Sequence, residues 1–126
     1  MNNQRQLSSW LELDIVEDYD KFADYILERI DSMPRRHHAF KVVLQELIYR
    51  MPQELYDAIY TQQINKLVAI DRSLAATRWM LRRASKSKVR LLTPDQQEVA
   101  ETLLAVVGKK IGQRKKNLKQ ARQSAT

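Results

Sequence analysis

From Pro52 to Pro94 the chain runs forty-one residues without a glycine or a proline, and the whole sequence holds only two Gly and three Pro. Sheets joined by tight turns need many more of both, because Gly supplies the positive φ and Pro the preset φ of the common turns. The chain is therefore read as helix almost throughout. At 126 residues, 44% of them hydrophobic, it is long enough to bury one core without disulfides or a structural metal.

Apolar periodicity divides the chain into four helices. Ser9-Trp10-Leu11-Glu12 has the form of a capping box and predicts the first start. Leu11, Ile15, Tyr19, Phe22, Ile26, Ile30 and Met33 then recur at three- and four-residue steps, with Ala23 and Leu27 beside them, while Glu17, Asp24, Glu28 and Asp31 take the other face. Pro34 disfavours helical torsions at Met33, and Ser32 is placed to cap a second helix from about Pro34 to Arg50, packed through Phe40, Val43, Leu44, Leu47 and Met51. Met51-Pro52 reads as its end and Pro52 as the first turn of a third helix. With Tyr60, Ile64, Leu67, Leu74, Ala75 and Leu81 in step, that helix would reach about Ala84 and span roughly 50 Å. Thr93-Pro94-Asp95-Gln96 is the clearest start signal: Thr as cap, Pro at the first helical position, Asp at the positive helix end, Gln at the capping-box position. The fourth helix packs through Ala100, Leu103, Leu104, Val107 and Ile111.

The predicted fold is all-α: a four-helix antiparallel bundle with a long third helix and a basic C-terminal helical extension. Residues 1–112 form the bundle domain and residues 113–126 the extension, where Leu118 is the last large apolar side chain.

Charge is divided along the chain. Arg72 to Thr126 holds fourteen Lys and Arg against three Asp and Glu, whereas Met1 to Asp31 holds three against eight. The formal net charge of +7 thus conceals a basic half suited to a polyanion and an acidic first helix that can shield it, or dock on it within the chain or between copies. A phosphate backbone is a line of charge, and clustered cations gain by releasing its counterions. The candidate nucleic-acid contacts are Arg78, Arg82, Arg83, Lys86, Lys88, Arg90, Lys109, Lys110, Arg114, Lys115, Lys116, Lys119 and Arg122. Trp79, within Arg78-Trp79-Met80-Leu81-Arg82-Arg83, could stack on an unpaired base, but a single Trp at helical spacing reads first as core.

Other constellations fail on chemistry. The acids of the first helix have no ligand histidine near them, and His37 and His38, adjacent on a helix, point about 100° apart, so no metal is expected. No His and carboxylate can be arranged around a Ser or Thr nucleophile, so no enzyme is expected. Gly108 and Gly112 lack the preceding strand and the Gly-Lys-Ser/Thr ending of a phosphate loop, and read as a place of close approach. Asp71, inside the apolar stripe of the third helix, calls for a Lys or Arg partner, because unpaired burial costs several kcal/mol. There is no cysteine and no membrane-length apolar run, which predicts a cytoplasmic protein without a disulfide framework.

The function expected from the sequence is a non-enzymatic nucleic-acid-binding accessory or regulatory subunit that uses no cofactor and contacts RNA or DNA phosphates. The alternative is a helical adaptor, chaperone or assembly factor that recognises protein partners through its acidic helix.

Overall fold

A computed structural model describes the backbone of residues 3–86 and 88–125 and the side chains of residues 14–86 and 88–124. Four α-helices span Asn3–Ile30 (α1), His38–Thr61 (α2), Ile64–Ala84 (α3) and Pro94–Ala125 (α4), with one 3-10 turn at Arg35–His37 and no strand among the described residues. Each helix packs against the next, and α4 closes the ring on α1. The backbones of the diagonal pairs α1/α3 and α2/α4 do not come within 8 Å of each other, Cα to Cα, among the described residues, so each helix stands at one corner of an all-α bundle. Polar side-chain pairs give the direction of two neighbours: Asp57 and Glu54 of α2 meet Lys66 and Ser73 of α3, and Arg82 and Asp71 of α3 meet Glu101 and Lys115 of α4. In both cases one number rises as the other falls, which is antiparallel packing.

The core is the sum of four stripes: Tyr19, Phe22, Ile26 and Ile30 of α1; Leu44, Ile48, Met51, Leu55 and Ala58 of α2; Leu67, Ile70, Leu74, Leu81 and Ala84 of α3; Ala100, Leu104, Val107 and Ile111 of α4. Tyr19 and Phe22 meet at 5.5 Å between ring centroids. Burial stabilises by about 1.5–3 kcal/mol for each of the larger side chains.

Helix starts and stops follow local chemistry only in part. At α4 the capping box forms as expected: the Gln96 amide donates to Thr93 Oγ1 at 3.1 Å, and the Thr93 amide donates to Gln96 Oε1 at 3.0 Å. At α1 the helix already runs from Asn3, ahead of Ser9; the Ser9–Glu12 side chains, Leu11 included, lie outside the described residues. Ser32 caps nothing that follows, since its hydroxyl donates to the Arg29 carbonyl at 2.9 Å and closes the end of α1. Pro34, extended at ψ 151°, precedes the 3-10 turn.

Pro52 does not divide two helices; it lies inside α2. A proline there costs about 3 kcal/mol through the lost N–H and the clash with the preceding turn. Met51 and Leu55 are both fully buried on either side of it, and at about 1.5–3 kcal/mol each their burial outweighs that cost. The break falls instead at Gln62, whose φ of 52° is left-handed and whose amide donates to the Ala58 carbonyl at 2.9 Å. A helix running straight from Pro52 to Ala84 would carry Leu67, Ile70 and Leu74 away from α2; the turn folds them back onto it. The third helix is consequently the shortest of the four, 21 residues against 28, 24 and 32.

Candidate nucleic-acid interface

The buried stripe of α3 comprises Leu67, Ile70, Leu74, Thr77, Met80, Leu81 and Ala84. Stepping 100° per residue from that stripe, Arg72, Trp79 and Arg83 fall on the opposite face. Trp79 is 62% exposed. It is not the core residue that its helical spacing suggests, because the core phase of α3 is set by packing against α2 and α4 rather than by the apolar residues upstream of Gln62. Arg72 and Arg83 are exposed on either side of it, with Ala75 and Ala76 leaving the surface between them low. Neither arginine has an ion pair or a side-chain hydrogen bond among the described residues. Arg72 belongs to this site although it is absent from the basic residues singled out by sequence; its seven-residue spacing from Trp79 is the signal that could have found it.

Beyond α3 the chain is held close rather than loose. The Leu91 and Leu92 amides both donate to the Ala84 carbonyl, at 2.8 and 3.1 Å, and Leu92 is buried. The Arg90 amide donates to the Lys86 carbonyl at 2.8 Å while Arg90 takes a φ of 45°. These bonds keep Lys86, Lys88 and Arg90 at the C-terminal end of α3; Lys86, Lys88 and Arg90 are exposed and have no acid partner among the described residues. The Ser85 hydroxyl is tied to the Arg82 carbonyl at 3.1 Å and to Gln97.

The remaining predicted contacts divide by what they touch. Arg82 is held by Glu101 at 3.1 Å, and Gln97 donates to the same carboxylate at 2.8 Å. Arg78 is half-buried in a groove between α3 and α4 whose wall also carries Glu98 and Glu101, a mixed charge that does not favour an anion. Its guanidinium passes over Gly108, where a Cβ would lie 2.9 Å from the Arg78 Nη2 atom, so this glycine is the place of close approach; Gly112 faces open space. Lys110 bridges Asp14 and Asp18 of α1, and Lys115 meets Asp71 of α3. Asp71 thus has a cationic partner, although it lies on the half-exposed flank of α3 rather than within the buried stripe. Hydrogen bonds that the Lys110 ammonium donates to Asp14 first, then to Asp18, hold it above its ordinary pKa of 10.5. Arg114 is half-buried. Lys109, Lys116, Lys119 and Arg122 are exposed along α4 and have no ion pair among the described residues. The helix continues unbroken through this segment to Ala125, and Leu118 packs against the core.

The acidic face of α1 is therefore only partly engaged. Asp14 and Asp18 dock on the basic half of the chain through Lys110, whereas Glu17, Asp20, Asp24 and Glu28 are exposed along the helix and Asp31 in the turn that follows it. Within the core the Tyr19 hydroxyl finds no hydrogen-bond partner among the described residues; burial, and secondarily the Glu54 carboxylate, raises its pKa above the usual phenol range. His37 accepts from Arg36 Nε at 3.2 Å, and His38 is exposed at the first position of α2.

No protein-family model matches the sequence, and no curated protein matches it either. No helix among the described residues is long and apolar enough to cross a membrane.

Proposed function

We propose that this protein is a nucleic-acid-binding subunit that holds a single strand across the outer face of α3, without catalysing a reaction. The observation that carries the reading is Trp79, exposed between Arg72 and Arg83 and followed by Lys86, Lys88 and Arg90, none of them neutralised by an acid of the same chain among the described residues. An exposed Trp accepts an unpaired base by stacking, worth about 1–3 kcal/mol, and the flanking cations meet the phosphates on either side. Arg72 and Arg83 lie about 10 Å and about 6 Å from Trp79 along the helix axis, within the reach of long side chains to neighbouring phosphates. Lys109, Lys116, Lys119 and Arg122 on the adjacent corner extend the cationic surface for a longer strand. Backbone contact and stacking are tolerant of sequence, which suits an accessory or regulatory role inside a nucleoprotein assembly.

The test is fluorescence anisotropy of labelled single-stranded and duplex RNA and DNA with the full chain, purified free of nucleic acid at high salt. Binding should favour the single strand and fall steeply with salt. Trp79→Ala should weaken single-strand binding by about tenfold or more, and in a Trp10→Phe background the fluorescence of Trp79 should be quenched on binding. Failure to bind any of the four at low salt would reject the proposal and leave the adaptor reading.

A further inference from the structure

The outer face of α2 carries a second exposed pattern that the basic surface does not use. Opposite the buried stripe Leu44, Ile48, Met51, Leu55 and Ala58 lie Tyr49, Gln53, Tyr56 and Tyr60, spaced four, three and four residues apart. Tyr49 is 66% exposed, Tyr56 38% and Tyr60 82%. The Tyr56 and Tyr60 rings stack on each other at 6.5 Å and 22°, so part of the surface is already ordered. Single exposed apolar residues are ordinary, but aromatics in a continuous line at heptad spacing form the seam of a helix pair.

We propose that the protein associates with a second copy of itself through this seam, as an antiparallel pair of α2 helices about a two-fold axis. The flanking charges select that occupant. Arg50 has no acid partner among the described residues, and Asp57, seven residues later, lies on the same flank of the seam, half-exposed and shared with Lys66 at 3.0 Å. In an antiparallel helix pair, residues of one flank face residues of the same flank, so Arg50 meets Asp57 of the second copy and the contact occurs twice. The register that pairs them also sets Tyr49 against Tyr60 and Gln53 against Tyr56, so the seam is complementary to itself. The tyrosine rings leave water while their hydroxyls stay at its edge. A phosphate chain is a poorer occupant, since Glu46, Glu54 and Asp57 outnumber Arg50 and Lys66 on this side. The approach is open on the outer side: α2 stands at a corner, with α1, α3 and the 3-10 turn as the elements near it among the described residues. A seam of about 17 Å is shorter than a standard interface, which makes the dimer weak and dependent on concentration.

Sedimentation velocity of the full chain, stripped of nucleic acid, from about 1 µM to about 500 µM tests this independently of any nucleic-acid binding. A dimer should form in the upper part of the range. Tyr49→Ala with Tyr60→Ala should weaken it at least tenfold with helicity unchanged, because both rings are exposed. Arg50→Glu should also weaken it, and adding Asp57→Lys to that variant should restore it by exchanging the two charges. A monomer at every concentration, a dimer indifferent to the tyrosine changes, or no recovery in the charge-exchanged variant would each overturn the proposal.

Discussion

Lys110 and Lys115 of α4 and Arg72 and Arg83 of α3 carry the same formal charge and do different work. The two lysines sit on flanks of α4 that face neighbouring helices, where Asp14, Asp18 and Asp71 meet them. The two arginines sit on the face of α3 that no helix covers, with an exposed Trp between them. A charge total counts both pairs equally; a ligand does not. Cations already facing carboxylates contribute cohesion to the bundle, while cations facing only water contribute potential at the surface and counterions to release. The difference narrows the thirteen basic residues expected from sequence to a smaller outward set, and brings Arg72 into it.

The largest expected effect separates these two sets directly. Replacing Arg72, Arg83, Lys86 and Arg90 together by Gln should lower single-strand affinity by about two to three orders of magnitude near 0.1 M salt, and should reduce the slope of log K against log salt by about 0.7 for each phosphate left without its cation. The thermal midpoint should stay where it was, since none of the four has an ion pair among the described residues. Equal weakening by Lys110→Gln with Lys115→Gln would erase the distinction between inward and outward cations.

How far the sequence can show this division depends on the range of the signals. Thr93-Pro94-Asp95-Gln96 is legible because a cap is made and satisfied within four residues. Met51-Pro52 is not, because the proline follows a core methionine there, and burial of Met51 and Leu55 decides in favour of continuity. Gln62 has no Gly or Pro to announce the left-handed turn, so a single third helix from Pro52 joins Tyr60 and Ile64 to Leu67 in one apparent stripe. Once that phase is broken, Tyr60 faces water and Trp79 faces water with it. The basic half, by contrast, is visible in the composition; which of its members point outward is a property of packing.

The inward cations should reveal themselves in stability. Lys115→Met leaves Asp71, part-buried on α3, without its partner, and should destabilise by about 0.5–1 kcal/mol once solvent screening is allowed for. Nucleic-acid affinity of the folded variant should change far less than in the outward quadruple variant. Urea unfolding together with anisotropy checks both halves of the expectation.

A smaller effect should follow pH. The folded-state pKa of Lys110 is raised, so the stability it contributes is present below its unfolded value near 10.5 and is lost as pH rises through the higher folded value. The difference in unfolding midpoint between the wild type and Lys110→Gln should therefore be steady at neutral pH and close above 10.5. A difference that persists unchanged at pH values above the folded pKa would mean that the lysine acts through packing of its stem rather than through charge.

The smallest effect concerns the outward acids of α1. Glu17, Asp24 and Glu28 lie on a helix diagonal to α3, and the two backbones stay more than 8 Å apart, Cα to Cα, among the described residues. Helices are about 10 Å across with their side chains, so outward groups on diagonal corners are separated by more than about 20 Å. The screening length is about 8 Å at physiological ionic strength and about 30 Å at 0.01 M salt. Replacing the three acids by their amides should therefore change single-strand affinity by less than about twofold at 0.15 M salt, and should tighten it measurably only near 0.01 M. Several-fold tightening at the higher salt would place the acidic stripe within working range of the basic face. Shielding by α1 would then join the outward cations in setting how tightly this chain holds a polyanion.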